Sequence, residues 1–209
     1  MNEVHGTQVK GGPRRGLAAY ALWSVALIGV AAVLYVIVAS LSKPGSGPVD
    51  LKSLAHGDMA SLEVSAKASP PPDTPILDAA GHTLKASDLK APVVVVNLWA
   101  TWCAPCVKEM PTLAKLQAAY PGRVLVAPIS MDRLADREKA RAFIAEHPPL
   151  AFYQDPKYAL AFALEPPAEG FPTTVIYDRK GHERARLAGG ADWSGPDARA
   201  VVDALLKEH

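Results

Sequence analysis

PVVVVNLWATWCAPCVKEMP, residues 92–111, joins a β-branched apolar run to two closely spaced cysteines and then to a helix-forming segment. Pro92 to Leu98 shows no polar alternation, the pattern of a strand buried on both faces in a parallel sheet. Beyond it, Met110, Leu113, Leu116 and Tyr120 fall at helical spacing. Cys103-Ala104-Pro105-Cys106 therefore lies at a strand-to-helix junction, with Pro105 in a first helical turn, where a missing N–H costs nothing. A thiol at a helix start faces unpaired backbone N–H groups and the positive end of the helix dipole, and both favour thiolate over thiol. Cys103 is the expected nucleophile, and Cys106, one turn deeper, the resolving thiol.

These two are the whole cysteine complement of 209 residues. Two are too few for a disulfide-stapled scaffold or for a structural zinc site built mainly of thiolates. The 6 histidines (His5, His56, His82, His147, His182, His209) form no H-x-H or H-x3-H cluster, so no metal site is expected. A bridge closing four residues contributes roughly 2 kcal/mol of chain entropy, against about 3 for a fifteen-residue loop, which is little help to a fold. A strand-CxxC-helix context is instead the signature of redox work, with an inert bridge or metal site as the alternative. Lys+Arg 22 against Asp+Glu 21 argues against a nucleic-acid binder that depends on a basic surface.

Downstream, strands and helices alternate: a buried strand Val124–Ser130, a helix around Arg137–His147 with Ala140, Phe143 and Ile144 on one face, and a strand-helix pair within Leu150–Leu164. Strand Thr173–Tyr177, the turn Asp178-Arg179-Lys180-Gly181, a hairpin partner Glu183–Leu187 and a closing helix Pro196–Lys207 complete the chain. The succession is β-α-β, an α/β insertion, then β-β-α: an α/β fold with a central mixed sheet and flanking helices over 73–209.

Upstream, Gly16 to Ser42 carries no charged side chain. Its apolar core of roughly 25 residues, at about 1.5 Å each, crosses a hydrocarbon layer of about 30 Å. Cleavable signal peptides have apolar regions of only about 7 to 15 residues, so a single permanent transmembrane helix over 16–42 is expected, although Val38-Ala39-Ser40 loosely matches a cleavage site. Lys10, Arg14 and Arg15 precede the block while only Lys43 and Lys52 follow it closely, which places residues 1–15 in the cytoplasm and the rest across the membrane. Dithiols tend to become oxidised there. Residues 43–72 read as a Pro/Gly/Ser-punctuated spacer stiffened by Pro70-Pro71-Pro72; LKSLAHGDMASLEV within it is open to forming a short helix or strand docked on the domain.

The run VNLWATWCAPC from Val96 to Cys106, followed by Lys108-Glu109-Met110-Pro111, resembles the active-site region of the TlpA group of membrane-anchored thioredoxin-like proteins, relatives of ResA and CcmG. Gly170-Phe171-Pro172-Thr173-Thr174 resembles the cis-proline loop that thioredoxin-like folds set against the CxxC. The resemblance implies a thioredoxin-like fold with the domain in the periplasm, held at the inner membrane. It implies a cis Pro172 that presents the Phe171 backbone to an extended client, and client contacts at Trp102, Ala104, Pro105 and Phe171. The plainer alternatives are a trans proline starting a strand and a Trp102 that merely fills the core.

Glu109, three residues past Cys106 and on the same side of the helix, is a candidate proton relay, a role the ResA likeness supports; the alternative is an exposed glutamate beside Lys108. Asn97 stands where thioredoxin has a buried aspartate, so any acid-base duty shifts to Glu109 or water. Pro111 is expected to kink its helix.

Functionally, the resemblance implies a reductase of protein disulfides with no cofactor beyond its own dithiol. Its clients would be copper-delivery proteins, the copper-bearing oxidase subunit or apocytochrome c, and its electron donor a membrane carrier of the DsbD or CcdA type. The alternatives are a DsbA-like oxidant and a copper-binding chaperone using the dithiol as a soft ligand pair. Copper chaperones of this fold carry CxxxC and a distal histidine, which CAPC does not match, and the Pro-Thr-Cys pattern of peroxiredoxins is missing.

Overall fold

The computed structural model describes residues 28–36 and 49–208. The chain divides into two compact units, Met1–Gly47 and Pro48–His209. In the first unit, 28–36 is helical. The rest of the expected span 16–42, the residues 1–15 before it and the spacer residues 43–48 lie outside the described residues. Among the described residues, no helix is long and apolar enough to cross a membrane.

The second unit contains strands β1 (Glu63–Val64), β2 (Pro75–Asp78), β3 (Thr83–Lys85), β4 (Val93–Trp99), β5 (Val124–Ser130), β6 (Tyr153–Gln154), β7 (Thr173–Tyr177) and β8 (Glu183–Ala188). Its helices are α1 (Ala104–Ala119), α2 (Arg137–Ala145), α3 (Ala159–Ala163) and α4 (Pro196–Lys207). The strands form one mixed sheet in the order β1-β8-β7-β4-β5-β6-β2-β3. All residues of β4 are buried, as its unbroken apolar run predicts. It pairs in parallel with β5 and antiparallel with β7, which puts it near the middle of the sheet. The α/β insertion contributes β6, which joins the sheet beside β5 and carries it on to β2. α1 runs unbroken from Ala104 to Ala119 with Pro111 inside it, and Pro105 occupies its first turn.

Two features go beyond the sequence expectations. Residues 75–85 form the β2–β3 hairpin, closed by Asp78, whose Oδ1 accepts from the N–H groups of Ala80 and His82. The spacer expected over 43–72 is also folded in its described part, so the compact unit starts near residue 48 and not at 73. Leu51, Met59 and Leu62 are fully buried, two short 3-10 turns (Leu51–Leu54 and Gly57–Met59) pack against α4, and β1 adds a strand beside β8. Gly and Pro punctuation had suggested a linker, but burial of these apolar side chains decides the conformation: each large one is worth about 1.5–3 kcal/mol when removed from water.

Met59→Ala is therefore expected to destabilise the domain by about 2–5 kcal/mol, the usual range for truncating a fully buried methionine. Urea unfolding of the intact chain measures it; a spacer side chain would give no change.

Candidate active site

Leu98 of β4 lies opposite Thr173 of β7, so the loop ending at Pro172 leaves the sheet at the same end as the loop from Ala100 to Cys103. The two loops meet through the rings of Trp102 and Phe171, which pack edge to face with centroids 6.0 Å apart. Phe171 in turn stacks on Tyr158, at 6.0 Å. The Phe171–Pro172 peptide is cis. The two motifs read separately from the sequence are thus one site in space.

After β4 the chain turns once, with the Cys103 N–H donating to the Ala100 carbonyl (3.1 Å), and α1 begins with the Val107 N–H donating to the Cys103 carbonyl (3.1 Å). Cys103 is in extended conformation at the N-cap of α1. Its sulfur is joined to that of Cys106, with the Cα atoms 5.3 Å apart. Access is one-sided: Cys103 is 6% exposed and Cys106 0%, while Trp102, Ala104 and Pro105 are open to solvent. Cys103 is the more accessible of the two to an incoming sulfur, whose attack there would expel Cys106 as the leaving thiolate; in the reduced pair the helix N-terminus favours the thiolate at Cys103. Trp102 is 63% exposed, which rules out the core-filler alternative.

Glu109 is 3% exposed, so it is not the solvated glutamate that its neighbour Lys108 suggested. Its Oε1 accepts from Asn97 Nδ2 (2.8 Å), and its Oε2 from the Ala191 N–H (3.1 Å) and from Trp193 Nε1 (3.1 Å). Asn97 Nδ2 also donates to Thr174 Oγ1 (2.9 Å), which ties the carboxyl to β4 and β7 together. Burial pushes the Glu109 carboxyl above the ordinary glutamate value, while the bonds from Asn97, Ala191 and Trp193 pull it part of the way back. A groove of about 470 Å³ beside Pro105, lined by Asp58, Pro105, Lys108, Glu109, Thr112 and Ala191 among others, gives this carboxyl a route to solvent. Glu109 lies one turn beyond Cys106 on the same helix.

Several residues of this site escaped the sequence reading. Trp193, fully buried, sits in a loop far along the chain from Glu109 and carries no spacing signal. Asp132 follows β5 and bonds Thr101, just before the CxxC. Its only signal in the sequence is an acidic residue two positions past a buried strand. Among the described residues, no group of three or more His, Cys, Asp and Glu side chains gathers to hold a metal ion.

A raised carboxyl pKa means that the folded state holds its proton to higher pH than the unfolded chain does, so Glu109 lowers stability as pH rises above the ordinary value of 4.5. Glu109→Gln keeps an acceptor for Ala191 and Trp193 and lets the Asn97 amide turn to face it. The variant should gain stability relative to the wild type as pH increases from about 4 toward neutrality. Urea midpoints across that range report it, and parallel curves would show that the buried carboxyl is not linked to folding.

Residues 67–185 match the model of the AhpC/TSA family. The chain is 33% identical over 120 residues to the thioredoxin-like protein YneN of Bacillus subtilis, covering 53% of this chain and 64% of that protein. It is 29% identical over 127 residues to the thiol-disulfide oxidoreductase ResA of Geobacillus kaustophilus, covering 59% of this chain and 70% of ResA. A crystal structure from Chlorobium tepidum under the name thiol:disulfide interchange protein DsbE superposes with a TM-score of 0.58 at 27% identity, over 67% of this chain and 97% of that one. With a strand-CxxC-helix junction and a cis-proline loop meeting at one end of a mixed sheet, the chain belongs to the AhpC/TSA family, as a thioredoxin-like member similar to the ResA and DsbE thiol-disulfide oxidoreductases.

Proposed function

We propose that this thiol-disulfide oxidoreductase works as a reductase of protein disulfides on the outer side of the cytoplasmic membrane, held there by residues 16–42. The single observation that carries the exchange chemistry is the one-sided exposure of the Cys103–Cys106 pair at a helix start. In the reduced protein the Cys103 thiolate attacks one sulfur of a client disulfide. A Cys103–client bond forms, the client S–S bond breaks, and the first client sulfur leaves as a thiolate. Cys106 then gives up its proton and attacks the Cys103 sulfur, expelling the second client thiolate. The client has gained two electrons and takes up two protons; Cys103 and Cys106 have become the disulfide.

Within this scheme Glu109 takes the Cys106 proton and passes it to solvent along the groove beside Pro105. Trp102, Ala104, Pro105 and Phe171 meet the client around Cys103, with the loop carrying Pro172 offering its backbone edge. The reductive direction rests on the likeness to ResA, and the site needs no cofactor besides the dithiol. The TlpA-like motif and the uncharged block ahead of the domain point to clients of cytochrome oxidase or cytochrome c assembly. These are copper-delivery proteins, the copper-bearing oxidase subunit or apocytochrome c. A membrane carrier of the DsbD or CcdA type would restore the dithiol at the inner membrane, with the domain in the periplasm.

Equilibration with glutathione tests the direction: the potential is expected nearer the about −270 mV of thioredoxin than the about −120 mV of DsbA, and a value close to the latter overturns the reductase reading. Cys106→Ala should leave Cys103 trapped in mixed disulfides, and mass spectrometry of the captured proteins identifies the clients. Recovery of the full-length chain in the membrane fraction tests the anchor.

A further inference from the structure

A second buried carboxylate meets the redox loop from the end of β5. Asp132 is 1% exposed. Both of its oxygens accept from the Thr101 N–H (3.2 and 3.0 Å); Oδ1 also accepts from Thr101 Oγ1 (2.7 Å), and Oδ2 from Ser130 Oγ (2.8 Å). Thr101 is the first inner residue of the turn in which the Cys103 N–H reaches the Ala100 carbonyl, so this carboxylate grips the turn that delivers the nucleophile. Its own backbone is fixed on both sides. The Met131 N–H donates to the Trp99 carbonyl (2.7 Å), and the Asp132 carbonyl accepts from Gln154 Nε2 (3.0 Å), whose Oε1 accepts from Arg137 Nη1 (2.8 Å).

A carboxylate is an expensive clamp for a purely structural task, because burial penalises its charge and an amide of the same shape would bond Thr101 as well. What the amide lacks is the charge. The N-terminus of α1 pulls Cys103 toward thiolate, and a buried anion bonded to the preceding turn pushes the other way. The other charged side chains near the start of α1 are Lys108, which is exposed, Asp58 and Asp192, which line the groove beside Pro105, and Glu109, whose bonds go to Asn97, Ala191 and Trp193. Among the described charged side chains, Asp132 is the one that bonds the turn itself.

We propose that Asp132 is a positioning residue that biases the direction of electron flow: it holds the Ala100–Cys103 turn through Thr101 and, as a fixed anion beneath it, disfavours the Cys103 thiolate, so that the dithiol gives up its electrons more readily. Disulfides of this kind become oxidants when the reduced form is stabilised, and Asp132 acts in the opposite sense. Its value to the protein as an electron donor rests on the reductase reading above.

The test is the equilibrium of the intact chain with glutathione, in which the dithiol passes two electrons and two protons to oxidised glutathione. Asp132→Asn should favour the dithiol by about three- to tenfold, a tenfold change being 29.6 mV. The reduced variant should also be alkylated several-fold faster at fixed pH, because more of Cys103 is thiolate. Thr101→Val, which removes a hydroxyl bond and leaves the charge, should move the equilibrium less than Asp132→Asn does. Asp132→Ser removes the charge by a different shape and serves if the asparagine variant does not fold. A folded charge-removed variant whose equilibrium stays within twofold of wild type, or shifts toward the disulfide, overturns the proposal. A wild-type protein that is itself a strong oxidant toward glutathione overturns the reductase reading while leaving the shift on Asp132→Asn to be judged separately.

Discussion

Burial of β4 on both faces is the constraint on which the rest depends. A strand with every side chain buried has no solvent face on which to end gradually. The chain must leave the sheet abruptly at Trp99, turn once, and start a helix whose first N–H groups have no partner within it. Those unpaired donors and the dipole behind them sit where Cys103 lies. The same packing hides Cys106 one turn further in, leaving Cys103 the more exposed of the two residues.

The site has two buried carboxyl groups with different partners. Glu109 is held by a side-chain amide from β4, an indole and a backbone N–H, all donors, so burial and hydrogen bonding oppose each other, with burial the larger effect. Asp132 is saturated by Thr101 and Ser130 and anchored through Gln154 to Arg137, an arrangement suited to holding position. One carboxyl lies on the helix that carries the resolving cysteine, and the other bonds the turn that carries the nucleophile. Where thioredoxin has a buried aspartate this chain has Asn97, which donates to the Glu109 carboxyl.

Residues 49–66 belong to the same compact unit as the sheet. The start of this segment is fastened to the end of the chain: the Val49 N–H donates to Glu208 Oε1 (3.0 Å), and Glu208 is paired with Arg184 of β8. Asp58 from one of its 3-10 turns accepts from the Asp192 N–H (3.1 Å), beside the groove that leads to Glu109.

Much of this was legible in the chain itself. The unbroken run of β4, the helical spacing after Cys106 and the bounds of β5, β7 and α4 follow from periodicity, which is a local property of the residues. The Asp178-to-His182 turn was readable for the same reason. Asp78-Ala79-Ala80-Gly81-His82 makes the same turn with the same aspartate bonds, yet its flanking strands are too short to show alternation, and it passed unread. Local pattern leaves the folding of LKSLAHGDMASLEV, residues 51–64, open because Leu51, Met59 and Leu62 are separated by polar residues and glycine. Only the surface of α4 and the edge of β8 give them something to be buried against. By itself, then, the sequence determined the redox pair, its place at the start of a helix and the class of sheet behind it, since these depend on neighbours within one or two turns. The meeting of Trp102 with Phe171, the burial of Glu109 under Trp193 and the grip of Asp132 on Thr101 were decided by tertiary structure. Each joins residues whose closeness is set by strand order and loop path, which no local pattern encodes.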